Sequence, residues 1–563
     1  MKSNNFRIVL IFIIFLIICC YPLLLNLGDL SVRAWDEARN GINAIEMLNN
    51  HQFFVTYFDG MPDMWNTKPP FLIWLIAISM KIFGTTTFAL RLPSVLSCLA
   101  IFIFLFWFCK KFLNSLWAGI LSGLILATSV GFIDYHVARN GDFDAMLSMW
   151  MFFYAIQFFL YLENRKRINL FLFALFLVFA IMTKGIAGCM LLPGLFFIIF
   201  TNRKYFSVFK SLEFYIIPII GFGIAISYYF FRESLNPGYI KAVMENEITG
   251  RFNETNEGHV GTIWFYINIL KDAHYKYWIY FVPLSFIFTI IRGNAIFKKI
   301  SLFLLIQALF YLLIITISRT KLPWYDAPLF PFFALIIAIG LLQVYLEIKK
   351  ALFIRKNYLK EILFILFCIL VFIVPKKNIL ATSIQAKKET YYPTLFYGDF
   401  INSVYKVFPN QKNLNIVSDD FNPHLIFYKK VNEIEGHKIN IIASSSNLQL
   451  NDTILICEIK KTPKLSPDFR YDTLLMEDNL KYFLRVSSIT ETPKRNINLL
   501  VYAKINEIKN NEEWLNGVKG NAKRNNIELD KQLIIDALFN LKELKKINQK
   551  EHDSLKVINN INP

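Results

Sequence analysis

KPPFLIWLIAISMKIF, residues 68–83, decides the fold, because every downstream loop changes side if this apolar run crosses a bilayer. Its apolar part, Phe71 to Phe83, is short, opens after Pro69-Pro70 and contains Lys81, whereas a spanning helix needs about 20 mainly apolar residues. It reads as an interfacial or re-entrant helix that does not cross. Longer apolar runs lie outward from it. One, 6–27, precedes it; 90–109, 113–133, 145–162, 168–183 and 186–200 follow, and then 214–231, 276–291, 300–317, 327–346 and 359–374. The count is about eleven spans.

Composition agrees with a chain whose main solvent is the bilayer. Of 563 residues, 55% are hydrophobic and only 18% charged, with a mean hydropathy of +0.41. The first run follows Lys2 and Arg7 as a signal peptide would, but no small-residue cleavage site follows it, so a retained first helix is expected. Nor does a small residue stand just before Cys19 and Cys20, so lipidation there is not expected. Six of the seven cysteines lie in apolar segments and only Cys457 in a polar one, which indicates neither a disulfide framework nor a zinc cluster.

A net charge of +18 would suggest nucleic acid as partner of a soluble protein. Here the excess is topological. With the N-terminus inside and residues 71–83 not crossing, the inner loops hold Lys110-Lys111, Arg165-Lys166-Arg167, Arg203-Lys204, Lys298-Lys299, and Lys349, Lys350, Arg355 and Lys356. Beyond Lys376 the apolar runs shrink to strand size (414–417, 439–443, 453–457, 499–502), and an odd number of spans places this part outside. Residues 514–543 have helical spacing and abundant Lys and Glu. The expected organisation is a mainly α transmembrane domain, 1–375, a small outer soluble α/β domain, 376–505, and a helical appendix, 506–563.

The same topology puts a second set of ionisable residues outside: Asp36 and Glu37, Lys68, then Arg139, Asp142 and Asp144, Lys184, Arg251 and His259 in the long loop 232–275, and Arg319, Lys321 and Tyr325. Each has a bland reading. Asp36 and Glu37, or Asp142 and Asp144, can cap helix N-termini, and Lys68 or Lys184 can snorkel to headgroups. Their combination argues otherwise, since acids and bases from separate chain regions converge on one membrane face. Charged groups beside hydrocarbon are costly and mark function by default. A phosphate at the interface suits the lysines and arginines, and a carboxylate could deprotonate an acceptor hydroxyl or orient a departing sugar.

Several strings carry a family resemblance. Arg33-Ala34-Trp35-Asp36-Glu37-Ala38-Arg39, Lys68-Pro69-Pro70, Phe88-Ala89-Leu90-Arg91-Leu92-Pro93-Ser94, Ala138-Arg139 with Asp144, Thr183-Lys184-Gly185 and Lys321-Leu322-Pro323-Trp324-Tyr325 leading to Pro328-Leu329-Phe330-Pro331 resemble glycosyltransferase family 39. The match runs over roughly 6–374, and the layout is most similar to the family's bacterial lipid A aminoarabinose transferase branch. This resemblance implies a GT-C fold and an inverting transfer from a polyprenyl-phosphate sugar. It implies Asp36 as main catalytic carboxylate, Glu37 beside it, Asp144 as a second acid, and Lys68, Arg251 and Tyr325 on the carrier phosphate. That branch binds a metal through a Glu before Lys-Pro-Pro and a His in the long loop. Thr67 and Asn246 stand there, so no metal ligands carry over, and whether a divalent cofactor is used stays open. Trp324 replaces a usual His.

The expected protein is therefore a multi-pass glycosyltransferase of a bacterial inner membrane, with its site and C-terminal domain periplasmic. Catalytic residues would be Asp36, Glu37 and Asp144, and substrate-binding ones Lys68, Arg139, Asp142, Lys184, Arg251, Lys321 and Tyr325. Its partners would be the bilayer, a polyprenyl-phosphate sugar donor and a lipid, glycan or protein acceptor, without nucleic acid. The rival readings are a transporter or flippase for a lipid-linked sugar, and a non-catalytic scaffold; no internal repeat of the kind common in transporters is visible.

Overall fold

The computed structural model describes residues 2–133, 136–253, 258–352, 356–385, 396–418, 422–443, 445, 448–457, 465, 469–477, 481–489 and 497–544. They divide into two compact units, Met1–Leu414 with Asp420–Ile441, and Asn415–Asp419 with Ile442–Pro563.

The first unit is a multi-pass helical membrane bundle. Among the described residues, eight helices are long and apolar enough to cross: Phe6–Leu24, Thr87–Lys111, Asp144–Asn164, Arg167–Cys189, Leu212–Leu235, Ala295–Ile317, Leu329–Ala351 and Tyr358–Lys377. Three runs read as single spans are instead broken. Residues 113–133 form Leu116–Ala127 and Val130–Ile133, parted where the Thr128 hydroxyl turns back to the carbonyls of Leu124 and Ile125 at 2.7 and 3.1 Å. Residues 186–200 give a 3-10 turn, Gly185–Cys189, and a helix, Leu192–Ile199, with a proline in its first turn. A Cβ on Gly188 would lie 2.6 Å from the Ala180 backbone, so only glycine permits that turn to pack against its own preceding helix. Residues 276–291 divide at Tyr280 into Lys276–Ile279 and Phe281–Arg292.

The bundle has two chemically different ends. Lys299 pairs with Glu163 at 2.8 Å, Tyr205 also bonds Glu163, and Arg165 donates to the Lys204 carbonyl at 3.0 Å and the Ser207 hydroxyl at 2.7 Å. The basic loops thus meet one another. Asp144–Asn164 starts among the acidic candidates and ends in this basic group, and its 21 residues span about 30 Å, one bilayer core.

Phe71–Phe83 forms a helix of 13 residues, about 20 Å long and too short to cross unaided. The chain enters and leaves it at the same end of the bundle. Before it, Lys68 reaches Glu247 and the Phe143 ring; after it, Thr87 bonds the Gly28 carbonyl and Arg91 pairs with Glu37. Phe71 stacks on Phe179 with ring centroids 5.1 Å apart, which fixes the short helix against the span Arg167–Cys189.

After the last span, helices Phe396–Val407 and Pro423–Ile434, both of the first unit, dock back on the acidic end. Ser31 donates to Asp399 at 2.6 Å, the Tyr428 hydroxyl accepts the Val32 N–H at 2.8 Å, and Lys430 pairs with Glu46 at 2.9 Å. In the second unit, strand Asn413–Val417 runs parallel to Thr453–Ile456, which is antiparallel to Lys481–Ile489, itself antiparallel to Phe469–Glu477. Residues 499–502, expected as a strand, lie in the helix Ile497–Asn510. Their Val501 packs with Val518, Leu533 and Leu538 of the helices Glu512–Asn525 and Leu529–Glu543. That packing overrides a four-residue apolar pattern, which suits either element.

Candidate active site at the acidic end of the bundle

The helix Asp36–Asn50 begins directly after Trp35, whose φ of 70° lies in the left-handed region. This abrupt turn places two adjacent carboxylates in opposite settings. Asp36 is partly exposed and lines a small polar cavity, partly open to solvent, together with Asn40, Lys68, Asp142, Trp324 and Tyr325.

Glu37 is buried among donors. Arg91 approaches its two oxygens at 2.7 and 2.9 Å, the Arg33 N–H donates at 2.8 Å and the Gly141 N–H at 2.9 Å, and Asn140, with its amide turned, adds 2.8 Å. Burial pushes its acidity the other way, yet Arg91 holds the Glu37 carboxyl below the usual range. Arg91 itself spends its remaining N–H groups on the carbonyls of Leu27, Leu30 and Ser31. Glu37 therefore ties the loop after the first span, the second span and the 140–141 turn together, and its oxygens are engaged away from the cavity.

A second buried acid organises the cavity wall. Asp63 receives Arg39 at 2.8 and 2.7 Å, Asn43 at 3.0 Å and the Asn66 N–H at 2.9 Å; against the upward push of burial, Arg39 holds it low. Asn66 in turn donates to Asn40 and Asn43.

Asp142 and Asp144 also separate. Asp142 meets His136 Nδ1 at 2.6 Å and takes the Phe143 N–H on its other oxygen at 2.7 Å; burial raises its pKa, but the His136 contact carries it below the ordinary range. Asp144 instead pairs with Lys184 Nζ at 2.6 and 2.8 Å, both side chains buried. Lys184 also stands 5.2 Å from the Tyr325 ring centroid. Beyond Lys184 and Tyr325 opens a second small cavity, mostly apolar, between Leu147, Met190 and Ile315. Lys68 lies at the first cavity, 3.4 Å from Glu247.

Other sequence candidates sit at one remove. Arg139 donates to the Leu25 carbonyl at 2.7 Å. Lys321 folds onto the carbonyls of Thr316 and Ser318 at 2.5 and 2.7 Å, and loss of water lowers its pKa. The side chain of Arg251 lies outside the described residues. Thr67 and Asn246, where a metal-binding relative has Glu and His, are neutral and otherwise engaged: Thr67 faces Glu247 at 3.3 Å and Asn246 donates to the Met64 carbonyl at 3.1 Å. That pair does not fit such an ion. Sequence reasoning passed over His136, Asp63 and Asn40. Arg91 could have been found, since an arginine four residues into an apolar helix is costly unless paired.

Residues 67–228 match the family described as dolichyl-phosphate-mannose-protein mannosyltransferase. Among curated relatives, an uncharacterised protein of Aquifex aeolicus is 26% identical over 56% of this chain and 60% of its own length. Undecaprenyl phosphate-alpha-4-amino-4-deoxy-L-arabinose arabinosyl transferases of Wigglesworthia glossinidia brevipalpis and Aeromonas salmonicida are 25% and 24% identical, over 69% and 66% of this chain and 68% and 66% of their own lengths. The crystal structure of ArnT from Cupriavidus metallidurans bound to undecaprenyl phosphate superposes with a TM-score of 0.58 at 14% identity, covering 86% of this chain and 99% of that one. The family match over part of the chain and the shared fold give one placement: a membrane protein with the GT-C fold that is similar to glycosyltransferase family 39.

Proposed function

We propose that this protein is a membrane glycosyltransferase moving a sugar from a polyprenyl-phosphate carrier to a lipid, glycan or protein acceptor. The observation that carries the reading is the meeting of two cavities at Lys184 and Tyr325, one polar and lined by Asp36, the other apolar. A polyprenyl-phosphate sugar divides the same way, into a tail, an anion and a polar ring. The names of the Wigglesworthia and Aeromonas relatives, and the undecaprenyl phosphate bound to the Cupriavidus protein, support that donor class.

In this reading Asp36 takes the proton of the acceptor hydroxyl as its oxygen bonds to the anomeric carbon. The bond from that carbon to the phosphate oxygen breaks with its electron pair on the phosphate, so the transfer inverts. Lys68 and Lys184 offset the charge that develops there, with Tyr325 beside them and Arg251 joining on the family analogy. Asp144 holds Lys184 in place, and Asp142 borders the sugar. Glu37 acts as a positioning residue, and Arg139 and Lys321 act through the backbone segments they hold.

The membrane would be a bacterial inner membrane, with this end of the bundle and the C-terminal 376–505 domain facing the periplasm; the basic loops gathered at the other end support that orientation. A flippase would hold its ionisable groups near the midplane; here they gather at one end. The test compares envelope lipids, glycans and glycoproteins by mass spectrometry with and without the protein. One species should lose a sugar, and neither Asp36→Asn nor Lys68→Ala, inserted at wild-type levels, should restore it. Full restoration by both variants would end this reading.

A further inference from the structure

We infer that Asp36, His136 and Asp142 form a divalent-metal site, built from residues other than those at the Thr67 and Asn246 positions. Two chain regions, the start of the helix Asp36–Asn50 and the loop 136–143, bring these side chains together, and one donor atom from each residue lies within 4.8 Å of the other two. His136 and Asp142 are buried while Asp36 is partly exposed. Both buried members are held. The His136 ring stacks on Trp324 with centroids 3.5 Å apart and planes 15° from parallel, and the N–H of Phe143 fixes one Asp142 oxygen at 2.7 Å while the other faces His136 at 2.6 Å.

Asp36 and Asp142 both line the polar cavity. Three protein ligands with further positions open to a cavity is the arrangement of reactive metal centres, whereas structural centres are closed by four. One imidazole with two carboxylates suits a borderline cation such as Zn²⁺ or Mn²⁺ rather than Ca²⁺, which prefers an all-oxygen set. The ligand completing the open positions would be an oxygen of a phosphate or of a sugar. A carboxylate has two oxygens, so ligation through one leaves Asp36 a second for the acceptor proton.

The site is tested by binding, apart from activity. Full-length protein in detergent, stripped with chelator and titrated with Mn²⁺ or Zn²⁺, should take up one ion per chain, read by calorimetry and, for Mn²⁺, by its paramagnetic resonance. Asp36→Asn, a change of equal size at a partly exposed position, should weaken binding at least about tenfold. His136→Gln should do the same, while Asp272→Asn, an exposed acid elsewhere, should leave it unchanged. Absence of saturable binding to wild type at millimolar metal, or equal binding by all variants, overturns the inference. If Asp36→Asn then still abolishes sugar transfer, the proposed activity stands and only the metal falls.

Discussion

Adjacent carboxylates at 36 and 37 meet opposite fates because one α-helical step rotates a side chain by about 100°. Asp36 turns to the cavity, and Glu37 turns into the Arg91 guanidinium. The two substitutions should therefore separate. Glu37→Gln leaves a buried guanidinium without its counter-charge, and breaking such a pair costs about 3–5 kcal/mol. A clear fall in the detergent melting temperature is expected for Glu37→Gln and almost none for Asp36→Asn; equal melting curves would remove the structural role given to Glu37. A pH effect belongs to this scale too. Both ring nitrogens of His424 are buried without a partner, and burial lowers its pKa from 6.5 to about 4. The unfolded chain thus takes up the proton first, so the stability that neutral His424 contributes is full above pH 6.5 and is lost as the pH falls towards 4. Unfolding followed across that window should show a smaller loss in His424→Phe than in wild type.

At the scale of elements, the helix Asp36–Asn50 is clamped between the membrane bundle and the helix Pro423–Ile434. The clamp closes at Gly41, where a Cβ would stand 2.7 Å from the buried Phe427 ring. Alanine is the better helix former, but overpacking costs about 1–3 kcal/mol, so Gly41→Ala should destabilise and slow transfer by moving Asp36. Phe427→Leu in the same chain should restore much of both, measured as melting temperature and rate. A Gly41→Ala protein as stable and active as wild type would show that the two helices are not held that closely. The broken runs follow a related logic. Thr128, Gly188 and Tyr280 interrupt apolar stretches that hydropathy alone joins, because the interruptions serve local hydrogen bonding and close helix contact rather than burial in lipid.

For the whole molecule, the decisive matter is which side each loop faces. Cysteines placed at Met61 and Thr85, either side of the short helix, should both react with a membrane-impermeant maleimide in intact cells stripped of their outer membrane. A cysteine at Lys166, in the basic group, should react only after the inner membrane is opened. Labelling of 61 and 85 from opposite sides would make the helix Phe71–Phe83 a crossing one and would reverse every later loop.

Much of this organisation was legible in the amino-acid order. Long apolar runs, basic loops gathered at one end and the placement of Asp36, Lys68, Asp144 and Lys184 at the other follow from hydropathy and charge, which are local and additive along the chain. What the tertiary structure alone decided is which group each acid meets. Glu37 finds Arg91 across 54 residues, Asp144 finds Lys184 across 40, and His136 finds the Trp324 ring from a different loop. A carboxylate's chemistry depends on its nearest charge and on the water it keeps, and both are set by contacts between distant segments that no local pattern encodes.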